Sequence, residues 1–165
     1  MPKREVQPSG SHPLTLLADY YQFYLRDEEA PENLPSDWGD QLVTQMIAVA
    51  AGIIGVGTAR NTTVPVTIDV VTSRPDNDFT AWNHVTEASL EVPSGRIVIA
   101  GTSDYLPDAK RLSVPAGTYR VRVHAAGLDC ISENGLTGED QYHLVLWSET
   151  ERAPAILKRW TSRSS

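Results

Sequence analysis

The chain has 165 residues, a length typical of one globular domain, and 41% of them are apolar, which is enough to form a core. Its net charge of −7 argues against direct binding to nucleic acid, because DNA-binding domains usually carry net positive charge. The single cysteine, Cys130, excludes an internal disulfide and any site built from several cysteines. We expect neither a metal nor a cofactor.

The two ends of the chain differ in composition from its middle. Residues 1–12 are rich in proline, glycine, serine and charge, and we expect them to be a disordered leader. No apolar segment follows their basic residues, and the longest near-apolar run, 46–56, has 11 residues, whereas a membrane span needs about 20. We therefore expect a cytoplasmic protein without a membrane partner. Its single domain would span 13–149, and the basic tail 150–165 would be an edge strand or disordered.

The segment LTLLADYYQFYLRD, residues 14–27, alternates between two faces over its second half. This pattern predicts a strand with Phe23 on one face and with Tyr20 and Tyr24 on the other. If exposed together with Trp147, these two tyrosines would form a platform for a carbohydrate or another small ligand. If the following helix covers them, they belong to the core.

An acidic segment follows this strand and leads into a helix. Ser36 has the position of an N-cap, and apolar residues recur at helical spacing, so we predict a short helix over about 37–48 that Gly52 ends. The carboxylates are either ordinary solvated charges or an acidic face presented to a basic partner. The residues predicted to form that face are Asp27, Glu28, Glu29, Asp37 and Asp40.

The stretch GVGTARNTTVPVTIDV, residues 55–70, combines two glycines with a β-branched run. A dinucleotide-binding loop needs a third glycine and a following helix, and this stretch has neither. We predict two strands, 53–59 and 64–71, whose glycines let another strand or the helix of Trp38 approach closely. Arg60, in the turn between them, either braces that turn or points toward a partner.

Three later stretches also alternate with a period of two. Residues 87–101 contain the turn signal PSG and predict a β-hairpin, and residues 141–147 predict the last firm strand. Between them, the turn PAG joins a short strand at 111–114 to a strand whose outward row contains Arg120, Arg122 and His124. We predict that Arg120 and Arg122 contact a partner. The alternative is a wet outer face on which they pair with Glu87 or Glu91.

Seven to nine short strands with turn signals every 8–12 residues and one short helix are typical of an antiparallel sandwich or barrel. We predict an all-β fold, an antiparallel β-sandwich of jelly-roll or C2-like type. The sequence contains no GxSxG elbow and no Walker motif. His84, His124 and His143 could converge with loop carboxylates into an enzyme site, but their spacing matches no metal motif, and we expect a non-enzymatic protein.

A family resemblance covers about half of the chain. The strand YYQFYLRD, the acidic helix that Trp38 begins, the turn 60–62 and the segment PAGTYRV resemble the competence protein J family, inhibitors of a DNA-entry nuclease. The resemblance implies a compact β-sandwich that works by binding another protein. An acidic surface that occupies a basic nuclease cleft would be its mechanism.

We therefore predict a protein-binding β-sandwich, an inhibitor or immunity-type protein that acts on a basic nuclease. The alternative is a small-ligand or carbohydrate-binding module that uses exposed tyrosine and tryptophan side chains. The sequence does not indicate the oligomeric state.

Overall fold

A computed structural model describes residues 10–31, 34–102, 104 and 109–160. These residues form eleven strands, one α-helix (α1, Trp38–Gln45) and a single 3-10 turn (Asp19–Tyr21). The strands are β1 Gly10–Leu17, β2 Gln22–Asp27, β3 Ile47–Ala50, β4 Ile53–Gly57, β5 Thr63–Val70, β6 His84–Val92, β7 Arg96–Gly101, β8 Lys110–Ser113, β9 Gly117–Ala126, β10 Gln141–Ser148 and β11 Ala155–Lys158.

The strands form two sheets that enclose one main core. Sheet I has the order β1-β5-β10-β9-β6-β11, and sheet II has the order β3-β4-β2-β7-β8. Neighbouring strands run antiparallel except β5 and β10, which run parallel. Phe23, Leu25 and Ile54 from sheet II and Ile68 and Leu144 from sheet I are fully buried between them. The predicted all-β fold with one helix is confirmed.

The predicted hairpin over 87–101 is wrong. β6 lies in sheet I and pairs with β9 and β11, whereas β7 lies in sheet II and pairs with β2 and β8. The turn between them therefore carries the chain from one sheet to the other. Two such strands bury their apolar faces in the same core as a hairpin would, so alternation alone does not distinguish the two arrangements.

The N-terminal strand and the helix differ from their predicted bounds. The segment 14–27 contains two strands in different sheets, β1 and β2, which the 3-10 turn separates. β1 begins at Gly10, inside the predicted leader, while residues 1–9 lie outside the described residues. The N-cap of α1 is Asp37, and the helix ends where Met46 adopts a left-handed conformation, so residues 47–48 belong to β3.

Helix α1 packs on the outer face of sheet II. A Cβ atom on Gly55 would lie 2.3 Å from Trp38 Cζ2, and one on Gly57 would lie 3.0 Å from the carbonyl oxygen of Leu42. We predicted that these glycines permit close approach of another strand or of the helix of Trp38, and it is the helix that lies against them.

The described part of the C-terminal tail contributes β11, which pairs with β6 at the edge of sheet I, while residues 161–165 lie outside the described residues. No helix in the described ranges combines the length and the apolar character that a membrane crossing requires.

Candidate functional site

The outer face of sheet I carries a buried charge cluster. Glu87 is 1% exposed, and its two carboxylate oxygens accept hydrogen bonds from Arg120 Nε at 2.9 Å and from Arg122 Nε at 2.8 Å. Burial alone would raise the pKa of Glu87, but the hydrogen bonds from the two arginines outweigh it and hold the pKa below its ordinary value. Arg74 Nη1 also lies 3.1 Å from Glu87 Oε2, so the ionised carboxylate is bound by three guanidinium groups.

The other N–H groups of these arginines bind segments that cross the sheet. Arg120 donates to Ser89 Oγ and to two carbonyls in the segment 152–153, and Arg122 donates to the carbonyl of Asp76 and to Asn77 Oδ1. Arg120 and Arg122, which the sequence predicts to contact a partner, are thus 1% and 0% exposed. They pair with Glu87 and anchor the loop and the tail that cover them.

The three aromatic residues of the predicted ligand platform lie on different surfaces. Trp147 is 1% exposed on the outer face of sheet I, with Arg74 and Arg122 centred 5.0 and 5.5 Å from its ring. Tyr24 lies on the outer face of sheet II, where it lines a cavity of about 370 Å³ with Trp38. Tyr20 is exposed at a third place, so these rings do not form one surface.

The histidines converge only in part. The rings of His124 and His143 lie 5.5 Å apart beside Trp82, and His143 Nε2 lies 2.5 Å from Asp69 Oδ2. His84 instead contacts the carbonyl of Gln45. Burial lowers the pKa of His124 to about 4. Across the described ranges, no three histidine, cysteine or acidic side chains are grouped as metal ligands.

The residues of the predicted acidic face have different environments. Asp27 is 1% exposed and accepts hydrogen bonds from the Ser94 hydroxyl and amide and from the Glu29 amide. Glu28 pairs with Arg96 and Arg111, whose hydrogen bonds lower its pKa. The side chains that are exposed to solvent are Glu29, Asp37 and Asp40.

A groove of about 550 Å³ lies at one end of the molecule, where α1 meets the 3-10 turn. It is lined mainly by apolar and aromatic groups, several of them exposed. Its lining includes Tyr20, Tyr21, Leu42, Val43, Met46, Ile131 and Trp160. We refer to this feature as the tyrosine groove.

The backbone of the tyrosine groove is strained. Within the described part of the chain, three residues other than glycine have positive φ: Tyr20, Tyr21 and Met46, each at 60°. All three line the groove. A left-handed conformation costs a residue with a side chain about 1–2 kcal/mol, and such strain tends to concentrate at functional sites.

The connection between β4 and β5 holds the two tyrosines in place. Asn61 Oδ1 accepts a hydrogen bond from the Tyr20 amide at 2.8 Å, and the Thr58 amide donates to the Tyr21 carbonyl at 3.0 Å. In the same connection, Arg60 Nε lies 2.5 Å from Asp140 Oδ1. The Asp140 side chain is 0% exposed and also accepts a hydrogen bond from the Tyr142 hydroxyl. Arg60 therefore braces this connection through a buried carboxylate.

The tyrosine groove was not predicted, because Tyr20 and Tyr21 were expected to lie in one continuous strand. One signal was available. The apolar residues fall at even positions in Leu14, Leu16 and Ala18 but at odd positions in Phe23 and Leu25. Such a change of phase requires a break in the strand between 18 and 23.

No family model matches this chain, and no curated protein sequence matches it either. It is similar to the crystal structure of ComJ, inhibitor of the DNA degrading activity of NucA, from Bacillus subtilis. The two share 22% identity at a TM-score of 0.62 over 86% of this chain and 98% of ComJ. The protein of crocagin biosynthetic gene J is similar at 19% identity and a TM-score of 0.60, over 86% of this chain and 99% of its own. The ComJ-like fold that the resemblance implies is confirmed.

Proposed function

We propose that this protein binds a nuclease and inhibits it, and that it acts by contact rather than by catalysis. The observation that carries the proposal is the likeness to ComJ, an inhibitor of the DNA-degrading activity of NucA, which extends over 98% of the ComJ chain. A likeness of this extent means that the two proteins share a whole domain rather than a common motif.

The charge of the molecule supports this proposal. A nuclease surface that binds DNA is positively charged, and a protein with a net charge of −7 is attracted to such a surface. Among the carboxylates predicted to form the acidic face, Glu29, Asp37 and Asp40 are exposed and able to approach a partner. Asp27 and Glu28 instead fix the local structure through Ser94 and two arginines.

The test is an inhibition assay with candidate nucleases from the same genome and supercoiled plasmid DNA as substrate. We expect one nuclease to lose its cleavage activity as this protein approaches equimolar concentration, and we expect binding to weaken as salt rises. If no candidate is inhibited at a tenfold molar excess, the proposal is wrong.

A matched pair of variants tests the role of the acidic face. Asp37→Asn with Asp40→Asn, and Glu91→Gln with Glu151→Gln as the control, each change the net charge from −7 to −5. All four residues are exposed, but Glu91 lies on the outer face of sheet I, away from α1. We expect the first pair to weaken inhibition several-fold and the control pair to have little effect. Equal effects would mean that only the net charge matters.

A further inference from the structure

Exposed apolar groups surround the tyrosine groove. Val43 is 84% exposed, Tyr20 is 73% exposed and Tyr21 is 48% exposed. A contiguous apolar surface of this kind is typical of binding sites, and tyrosine is among the residues that contribute most to protein–protein affinity. The left-handed backbone at Tyr20 and Tyr21 brings both rings to the same groove, whereas a continuous strand would place them on opposite faces.

A carboxylate lies at the edge of the tyrosine groove. Asp129 accepts a hydrogen bond from Trp160 Nε1, and Trp160 lines the groove. Of the arginines near the groove, Arg60 is paired with Asp140, whereas Arg159 donates to the carbonyl of Thr44 and keeps its positive charge. On a chain with a net charge of −7, an apolar groove with a carboxylate at its edge is complementary to an apolar side chain that basic residues flank.

We propose that the tyrosine groove receives a large apolar side chain from a basic segment of the protein partner. This inference rests on the proposed function and names the contact that supplies most of the affinity. A second copy of this chain is a poor occupant, because each copy carries a net charge of −7. In this arrangement the acidic face attracts the partner, and the tyrosine groove holds it.

Val43→Glu separates the apolar contact from the electrostatic one. Val43 lies on the exposed side of α1, so the change leaves the core intact and adds a carboxylate that electrostatic attraction to a basic partner would favour. Thr44→Glu is the matched control, because Thr44 is exposed on the same helix, receives the same charge and does not line the groove.

The measurement is the dissociation constant for the nuclease that the inhibition assay identifies. We expect Val43→Glu to bind at least tenfold more weakly than the unmodified protein, and Thr44→Glu to bind equally well or more tightly. If both variants bind like the unmodified protein, the groove proposal is wrong and the proposed function stands. If the unmodified protein inhibits no nuclease, both proposals are wrong.

A second readout does not depend on the nuclease. A leucine peptide flanked by lysines, titrated to millimolar concentration, is expected to shift the amide resonances of Tyr20, Tyr21 and Val43, and Val43→Glu is expected to remove the effect. A peptide of equal charge with glycine in place of leucine is expected to produce no such shifts. Equal shifts with both peptides would contradict the proposal, as would a dimer in sedimentation that Val43→Glu dissociates.

Discussion

The outer face of sheet I and the tyrosine groove differ in the burial of their side chains. On sheet I, Arg120, Arg122 and Trp147 are buried, and their hydrogen bonds are made within the chain. At the groove, Tyr20 and Val43 are exposed on a backbone that includes strained residues. Residue types typical of binding hot spots thus occur at both places, and burial with complete hydrogen bonding distinguishes the structural set from the candidate binding set.

The largest expected effect is at the buried charge cluster. Glu87→Gln leaves the buried guanidinium groups of Arg120 and Arg122 without their carboxylate, and we expect the free energy of unfolding to fall by about 3–5 kcal/mol. Urea denaturation followed by circular dichroism measures the change. Glu28→Gln is the control, because Glu28 also pairs with two arginines, Arg96 and Arg111 of sheet II, but all three side chains are partly exposed and we expect a much smaller cost. Equal costs would mean that the cluster has no special structural role.

The second effect depends on pH. Burial lowers the pKa of His124 to about 4 from 6.5, so as pH falls from 6.5 toward 4 the unfolded chain binds a proton that the folded chain does not. The free energy of unfolding is therefore unaffected by His124 above pH 6.5. As pH falls from 6.5 to about 4, it decreases by about 1.4 kcal/mol per pH unit.

His124→Gln tests this pH dependence. His143, Arg122 and Glu87 also act on the His124 ring, and they remain in the variant, so the difference between the two proteins isolates His124. We expect the free energy of unfolding of the variant to change less than that of the unmodified protein between pH 7 and pH 4.5. Parallel pH profiles would contradict the assignment.

The third effect is at the contact between α1 and sheet II. In Gly55→Ala, the new Cβ lies 2.3 Å from the Trp38 ring, so the helix must shift, and we expect a cost of about 2 kcal/mol. Because the same helix lines the tyrosine groove, we also expect weaker partner binding. Gly39→Ala is the control for stability, since nothing lies within 4 Å of its Cβ and the change improves helix propensity by about 1 kcal/mol. A thermal melt of both variants distinguishes them.

Those features that depend on local periodicity could be predicted from the sequence. The alternation over 64–70 and 119–125 gave correct strands, and the paired glycines correctly indicated a close approach by the helix of Trp38. The sheet to which each strand belongs could not be predicted, because β6 and β7 satisfy the same alternation whether they pair or cross the core.

The burial of the arginine row could not be predicted, because segments that are distant in sequence cover it. Arg120 and Arg122 lie in an outward row, as the sequence indicates, but the loop near Asp76 and the segment 152–153 cover that row from distant parts of the chain. Glu87 and Glu91 were the two partners considered for these arginines, and the register places Glu87 opposite Arg122 but Glu91 opposite Thr118. The change of phase between Ala18 and Phe23 indicates a break in the strand, but it does not specify the backbone angles of Tyr20 and Tyr21 on which the groove depends.

The smallest expected effect is at Tyr20, where one substitution is expected to change stability and partner binding in opposite directions. Tyr20→Gly removes left-handed strain of about 1–2 kcal/mol, but glycine makes the unfolded chain more flexible, which offsets about 0.4–1 kcal/mol. We expect a net stabilisation of about 0.5 kcal/mol, visible as a slightly higher Tm, together with weaker partner binding. Tyr24→Gly, in the extended strand β2, is the control and is expected to lower the Tm. If Tyr20→Gly lowers both stability and binding, Tyr20 serves the fold. Opposite changes in the two quantities are expected of a residue whose strain is retained for contact with a partner.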